Sequence, residues 1–341
     1  MPIFNSIDLF SGCGGLTEGM RRAGFTTRVA VEIDASAVKA FKLNHKKTIV
    51  IQRDIRSVDI SDVQAAMRNE PVHLLAGCPP CQGFSRMRKL NRRKSVIDSR
   101  NSLVAEYLRF VKALKPLTIM MENVPGLQDY YLFKEIVKEL DKLGYNPKVA
   151  IVNVRDFSVP QSRKRLVLVG SILGNIDVAR PVLPNKTVRH VIGNLPLPER
   201  SKDPIHKIFP SHTFIVQKRI DMTPKNGGSR KDLPKAFILN CHKRDVIGFS
   251  DVYGRLRWDD YSTTITGGCL NPSKGRFLHP EQNRCISARE AALLQSFPIN
   301  YKFPVNIPKA DLALMIGNAL PPMLSYFQSE NIRKHLIAHL G

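Results

Sequence analysis

The sequence predicts an α/β fold: a Rossmann-like, mostly parallel open sheet flanked by helices, with a second, smaller irregular domain. Three observations carry that prediction. Short apolar, β-branched runs alternate with helix-period segments up to about residue 170, the pattern of consecutive βαβ units. A glycine-rich turn, Ser11-Gly12-Cys13-Gly14-Gly15, follows the first of these runs, where a strand hands over to a helix. From Ser171 onward, prolines between Pro181 and Pro234 interrupt the chain and the long periodic segments vanish. The expected division is residues 1–170 plus 286–341 as the sheet domain and 171–285 as the second domain.

Ile3 to Leu9 reads as the first strand and Leu16 to Ala23 as the helix after the turn. Gly12 and Gly14 allow positive φ and close approach of backbone to a ligand, although such turns are often purely structural. Thr17 stands where a dinucleotide fingerprint carries its third glycine, which argues against NAD. The second strand, Arg28 to Ile33, ends on Glu32, Ile33 and Asp34. Glu32 can accept from ribose hydroxyls, while Asp34 suits the N-cap of the helix Ala35 to Asn44. After a third strand, Thr48 to Gln52, Asp54 either accepts from an adenine amino group or forms a turn.

His73 to Ala76 is a buried strand leading into Gly77-Cys78-Pro79-Pro80-Cys81-Gln82-Gly83-Phe84-Ser85. The two prolines forbid a helix and stiffen the loop. By spacing alone a C-x-x-C pair favours a redox couple or half of a zinc site. Cys13, Cys241, Cys269 and Cys285 are scattered, however, and a redox pair would open directly into a helix. A single nucleophilic thiol is therefore expected, and Cys81 is the residue chosen. Arg86, Arg88, Arg92, Arg93 and Arg100 crowd the following segment and would set phosphate-binding charge beside it.

Helical spacing returns from Ser102 to Lys115, then Thr118 to Met121 forms a strand ending at Glu122. A carboxyl there is either a desolvated proton donor or a tie for a neighbouring loop. Tyr131 to Leu143 is a helix stopped by Gly144, and Lys148 to Val154 another strand. Ahead of the strand Leu166 to Gly170, Arg163 and Arg165 are expected on one side and Lys164 on the other. They suit a carbonyl or phosphate, or a solvated strand end. In the second domain Arg230, Arg255 and Arg257, with glycine pairs at Gly227-Gly228 and Gly267-Gly268, are candidates for reading base edges. Ser287 to Glu290 matches a capping box, and Gly317-Asn318 is expected to open the last helix, Met323 to Leu340.

The 52 Lys+Arg against 29 Asp+Glu give a formal charge of +23, a field that draws polyanions without distinguishing DNA, RNA or acidic lipid. No apolar run approaches the roughly 18 residues that span a bilayer, and Met1 to Phe10 lacks a basic region before a hydrophobic one. A soluble, cytoplasmic, nucleoid-associated protein is expected. Six cysteines in 341 residues form no disulfide framework.

In their order, these stretches resemble the DNA (cytosine-5) methyltransferases of bacterial restriction-modification systems, over nearly the whole chain. Asp8 to Gly15 is similar to the family's methyl-donor loop, Pro80-Cys81-Gln82 to its catalytic motif, Glu122-Asn123-Val124 to its acid motif and Gln161 to Arg165 to its arginine motif. Arg289 to Pro298 looks like the helix returning from the variable target-recognition region, and Gly317-Asn318 like the final motif. Cys78, where the family often has an aromatic or aliphatic residue, and Ala319-Leu320-Pro321 are departures.

The resemblance implies an S-adenosylmethionine-dependent methyltransferase sheet and transfer of a methyl group to carbon 5 of a flipped-out cytosine. It implies catalytic roles for Cys81, Glu122, Arg163 and Arg165. S-adenosylmethionine, leaving as S-adenosylhomocysteine, would be held by Phe10, Gly12, Gly14, Glu32, Ile33, Asp54, Ile55, Pro80 and Asn318. Double-stranded DNA would meet Ser85, Arg86, Arg88, Arg100, Arg230, Arg255, Arg257 and Thr264, the last in a Thr-Ile pair similar to one in the family. No metal and no membrane are expected; a monomer with a separately acting cognate endonuclease is. Rival readings are a transfer-RNA cytosine methyltransferase, a catalytically silent DNA-binding protein and a dithiol oxidoreductase. Gly83-Phe84-Ser85 and the long basic region from Ser171 to Arg284 favour DNA.

Overall fold

The computed structural model describes residues 3–80, 103–239 and 251–341. Seven strands form one sheet in the order β3-β2-β1-β4-β5-β7-β6. They are β1 (Phe4–Leu9), β2 (Phe25–Val31), β3 (Ile49–Ile51), β4 (Leu74–Gly77), β5 (Thr118–Asn123), β6 (Lys148–Asn153) and β7 (Lys164–Ser171). Neighbours from β3 to β5 run parallel, and β7 runs antiparallel to both β5 and β6. An antiparallel β6–β7 pair needs no crossover helix, so the short segment between them suffices.

Every residue of β1 is buried, which explains why its sequence reads as a continuous run and not as an alternation. Ile7, Leu9, Val29, Leu75, Ile119, Met121 and Leu168 build the core with Tyr107 and Phe110 of the helix Leu103–Leu114. The Tyr107 hydroxyl lies 3.0 Å from Leu75 O and 3.1 Å from Met120 O, so its polar end is satisfied between two strands. The final helix, Pro322–Leu340, packs on the first, Gly15–Arg22. Gly19 makes that approach possible: a Cβ there would lie 2.3 Å from Ser325 Cβ. Ser325 Oγ in turn donates to Leu16 O at 2.6 Å.

The chain forms two compact units, residues 1–157, 164–183 and 320–341, and residues 158–163 and 184–319. The boundaries differ from those expected: 171–183 belong with the sheet, and 158–163 and 286–319 with the second unit. Side-chain ties explain the last assignment. Glu290 pairs bidentately with Arg284, both contacts 2.7 Å, and the Ser287 capping box forms as expected at the start of the helix Ala288–Leu294. Gly317 backs directly onto Thr266-Gly267, where a Cβ would meet the backbone at 2.0 Å. Gly317-Asn318 ends a helix, Lys309–Asn318, which the apolar spacing did not reveal; the last helix begins at Pro322.

Candidate active site

Parallel strands deliver their carboxyl ends to one edge of the sheet, and the candidate residues of the first unit gather there. The turn after β1 is bent by positive φ at Phe10 (62°), Gly12 (55°) and Gly14 (95°). Glu32 ties it to the end of β2: Oε2 accepts from Gly12 N at 2.7 Å, and Oε1 from Ile33 N at 2.9 Å and Asp34 N at 2.8 Å. Burial raises the pKa of this carboxyl, against the pull of those amides. Beside Gly12 the space is open, with no atom within 4 Å of a Cβ position, and Ile33 is 63% exposed.

Ser11 Oγ and Asp8 Oδ1 are buried here without hydrogen-bond partners. An open, glycine-lined turn with spare polar atoms and an acidic strand end fits an adenosine-bearing ligand such as S-adenosylmethionine. Asp34 caps the next helix through Ala37 N, as expected. Asp54 takes the turn-forming role, accepting from Arg56 N and pairing with the Arg56 guanidinium, and that hydrogen bond lowers its carboxyl to about 2. Ile55 is buried in the core, Pro80 half-buried, and Asn318 exposed at its helix end.

Asp8 has a consequence for stability. It is fully buried, accepts from Thr17 Oγ1 at 2.5 Å, and burial pushes its carboxyl from 3.8 to about 8. The folded state keeps the proton that the unfolded state releases. Asp8 therefore contributes stability that is complete below about pH 4 and is lost as pH rises through 8. Urea midpoints followed across that window should decline less steeply in Asp8→Asn than in the parent protein; equal slopes would contradict the assignment.

Glu122 sits near the end of β5 and Arg165 near the start of β7. Arg165 Nε lies 2.7 Å from Glu122 Oε1, with side chains only 13% and 11% exposed. The approach forms an ion pair without hydrogen-bond alignment, so Oε1 is buried and still short of a donor. Burial lowers the Arg165 pKa and the Glu122 charge opposes this. Asn123, quoted in the acid motif but given no role of its own there, donates Nδ2 to Pro79 O at 2.8 Å and so anchors the prolyl loop to β5.

Cys13, Cys269 and Cys285 are buried and outside any disulfide. Burial pushes the Cys13 and Cys269 thiols to about 12 and Cys285 higher still. Cys78 is raised well above its usual range by burial, then by the charges of Glu122 and Asp8, against Arg165. None of these four is a thiolate at neutral pH. Cys81, Ser85, Arg86, Arg88 and Arg100 lie outside the described residues.

Among the described residues Arg163 and Arg165 make different contacts. Arg163 belongs to the second unit, where Nη1 donates to Ile265 O at 3.0 Å and Gly317 O at 2.8 Å. β7 begins only at Lys164, so strand alternation does not govern Arg163. Gln161, fully buried, accepts from Ile265 N at 3.0 Å and donates to Gln295 Oε1 at 2.8 Å. Gln295 donates to Ile316 O at 2.7 Å. Thr264 Oγ1 donates to Ser162 O at 3.1 Å, closing the same network.

Arg255 corrects the sequence reading. It is 0% exposed and no base can reach it. Its guanidinium donates to Thr223 O, His279 O, Gln282 O, Ile220 O and Asn283 Oδ1 at 2.6 to 2.9 Å. It is the polar centre of the second unit, beside the small cluster of Ile220, Leu278 and Cys285. Arg257, with 61% side-chain exposure, remains available, 3.8 Å from Asp260; Arg230 is half-buried in a short 3-10 turn. No helix among the described residues is long and apolar enough to cross a membrane.

The family described as C-5 cytosine-specific DNA methylase matches residues 4–334. The Type II methylase M.HgiDII of Herpetosiphon aurantiacus is 35% identical over 97% of this chain and 95% of its own length. The Type II methyltransferase M1.HphI of Haemophilus parahaemolyticus is 33% identical over 96% and 86%. Among solved structures, a prophage-encoded E. coli protein described as a DNA modification methyltransferase superposes with TM-score 0.75 at 25% identity, covering 98% of this chain and 99% of its own. With the family matched over nearly its full length, and with its sheet, donor turn and Glu122–Arg165 pair, this chain belongs to the C-5 cytosine-specific DNA methylases and is an S-adenosylmethionine-dependent DNA (cytosine-5)-methyltransferase.

Proposed function

We propose that the enzyme methylates one cytosine within a defined duplex sequence, flipped out of the helix, through a covalent bond to Cys81. The observation that carries this reading is the Glu122–Arg165 pair, with its donor-poor buried oxygen, one strand from the Cys78-Pro79-Pro80 segment that leads to Cys81. Cytosine carbon 5 is not nucleophilic. A thiolate at Cys81 forming the S–C6 bond places electron density on carbon 5. Glu122 neutralises the charge that develops at ring N3, donating a proton or hydrogen bond there, and Arg165 holds Glu122 in position for it.

Glu32, Phe10 and Ile33 would hold the ribose and adenine of S-adenosylmethionine, which would supply the methyl group when bound. Loss of the carbon 5 proton then restores the C5–C6 double bond as Cys81 leaves with the S–C6 electron pair. These steps require no metal. The ring atoms are inaccessible inside a duplex, hence the base flip. Arg163 acts by positioning, since its Nη1 donates to two backbone carbonyls of the second unit.

Target choice is assigned to the second unit, with Arg230, Arg257 and Thr264 as candidate base or backbone contacts and the basic stretch Arg86 to Arg100 on phosphates. The relatives' Type II names support a place in a restriction-modification system, with a separate endonuclease, and a monomeric cytoplasmic enzyme suits that role. Exchanging residues 186–266 for the corresponding segment of a relative with another target should redirect methylation of a randomised duplex library, scored by bisulfite sequencing. An unchanged methylated sequence would place recognition elsewhere, and methylation of transfer RNA in place of DNA would overturn the reading.

A further inference from the structure

The strand register puts more than the ion pair on this face of the sheet. Asp8 pairs with Ala76 across β1–β4, Ala76 with Met120 across β4–β5, and Glu122 with Val167 across β5–β7. Side chains two apart in a strand share a face. Cys78 therefore lies with Ala76, Glu122 with Met120, and Arg165 with Val167. Cys78 remains in the ladder, since its N–H donates to Leu9 O at 3.2 Å. Asp8, Cys78, Glu122 and Arg165 are thus neighbours on one face, one from each of four adjacent chain segments, and Cys78 is directly beside Glu122.

The Glu122 carboxyl is charge-paired by Arg165 but short of an aligned donor at Oε1. A carboxylate held by one oblique ion pair can still rotate, and a buried acceptor without a donor is costly. We propose that Cys78 is a positioning residue for Glu122, its thiol donating a hydrogen bond to one carboxyl oxygen from the neighbouring strand and so fixing the rotation that turns the other oxygen toward cytosine N3. The thiol suits the task because burial beside two carboxyls keeps it protonated. It is a weak donor, which fixes the orientation of the carboxyl without competing for the proton that Glu122 offers to the ring nitrogen. The inference rests on Glu122 being the group that meets N3.

The test compares Cys78→Val and Cys78→Ser, each in the parent enzyme and in a Glu122→Gln background, by single-turnover methylation, KM for S-adenosylmethionine and thermal midpoint. Cys78→Val removes the donor and adds one methyl group, whose packing cost the thermal midpoint reports; it should slow methylation about 3- to 10-fold, the loss of one weak hydrogen bond. Its KM for the donor should stay within about twofold. Cys78→Ser should recover the rate, and in Glu122→Gln the Cys78→Val change should cost nothing further, the coupling expected of residues in contact.

Equal losses in both backgrounds, or a serine variant as slow as valine, would overturn the positioning role and leave the Glu122 assignment standing. A Glu122→Gln enzyme with full rate would instead overturn that assignment and this inference with it. Should the valine variant fail to fold, Cys78→Ala puts the same question.

Discussion

Cys81→Ala abolishes methyl transfer, by at least about 10⁴-fold, while affinity for S-adenosylmethionine stays within about twofold. The asymmetry follows from the division of labour along the sheet edge. The turn proposed to hold the donor is built from β1 and β2 and closed by Glu32. Among the described residues no thiol offers a substitute for the proposed S–C6 bond: Cys13, Cys269 and Cys285 are buried with raised pKa values, and Cys78 is raised well above its usual range beside Glu122. With 5-fluorocytosine in the target, the parent enzyme should accumulate a denaturation-resistant protein–DNA adduct, because fluorine cannot leave carbon 5 as a cation. The alanine variant should form none. Adduct formation by Cys81→Ala but not by Cys78→Ala would reverse the assignment.

Arg255→Leu destabilises the second unit strongly, since each buried acceptor left unsatisfied costs about 1 to 3 kcal/mol. The substitution removes a donor from the carbonyls of Ile220, Thr223, His279 and Gln282, which converge on one guanidinium; Ile220 O and Gln282 O keep a backbone amide each. Arg255→Lys should rescue little, because a single ammonium has three donors and no planar fork. Denaturant unfolding and amide exchange of residues 214–222 and 276–285 provide the measurement. A variant of unchanged stability with relaxed preference at one base pair would restore Arg255 as a base reader.

Local chemistry was legible wherever a motif acts through its immediate neighbours. The strand ends at Glu32 and Glu122, the positive-φ glycines, the Asp34 cap and the Ser287 box depend on residues within a few positions. Their spacing alone therefore announces them. Apolar runs also revealed the parallel core, since strands covered on both faces must be continuously apolar.

What escaped the sequence depends on partners far along the chain. Arg255 and Arg257 are two positions apart and look alike, yet one is sealed among carbonyls and the other is exposed. Arg163 and Arg165 have the same spacing and serve different units. Their roles were decided by where Ile265, Gly317 and Glu122 come to lie. Residue type and spacing determine that a guanidinium is available; only the fold determines which oxygens surround it. A cation's partner is chosen by distance and desolvation in three dimensions, and neither is written in a linear order of side chains.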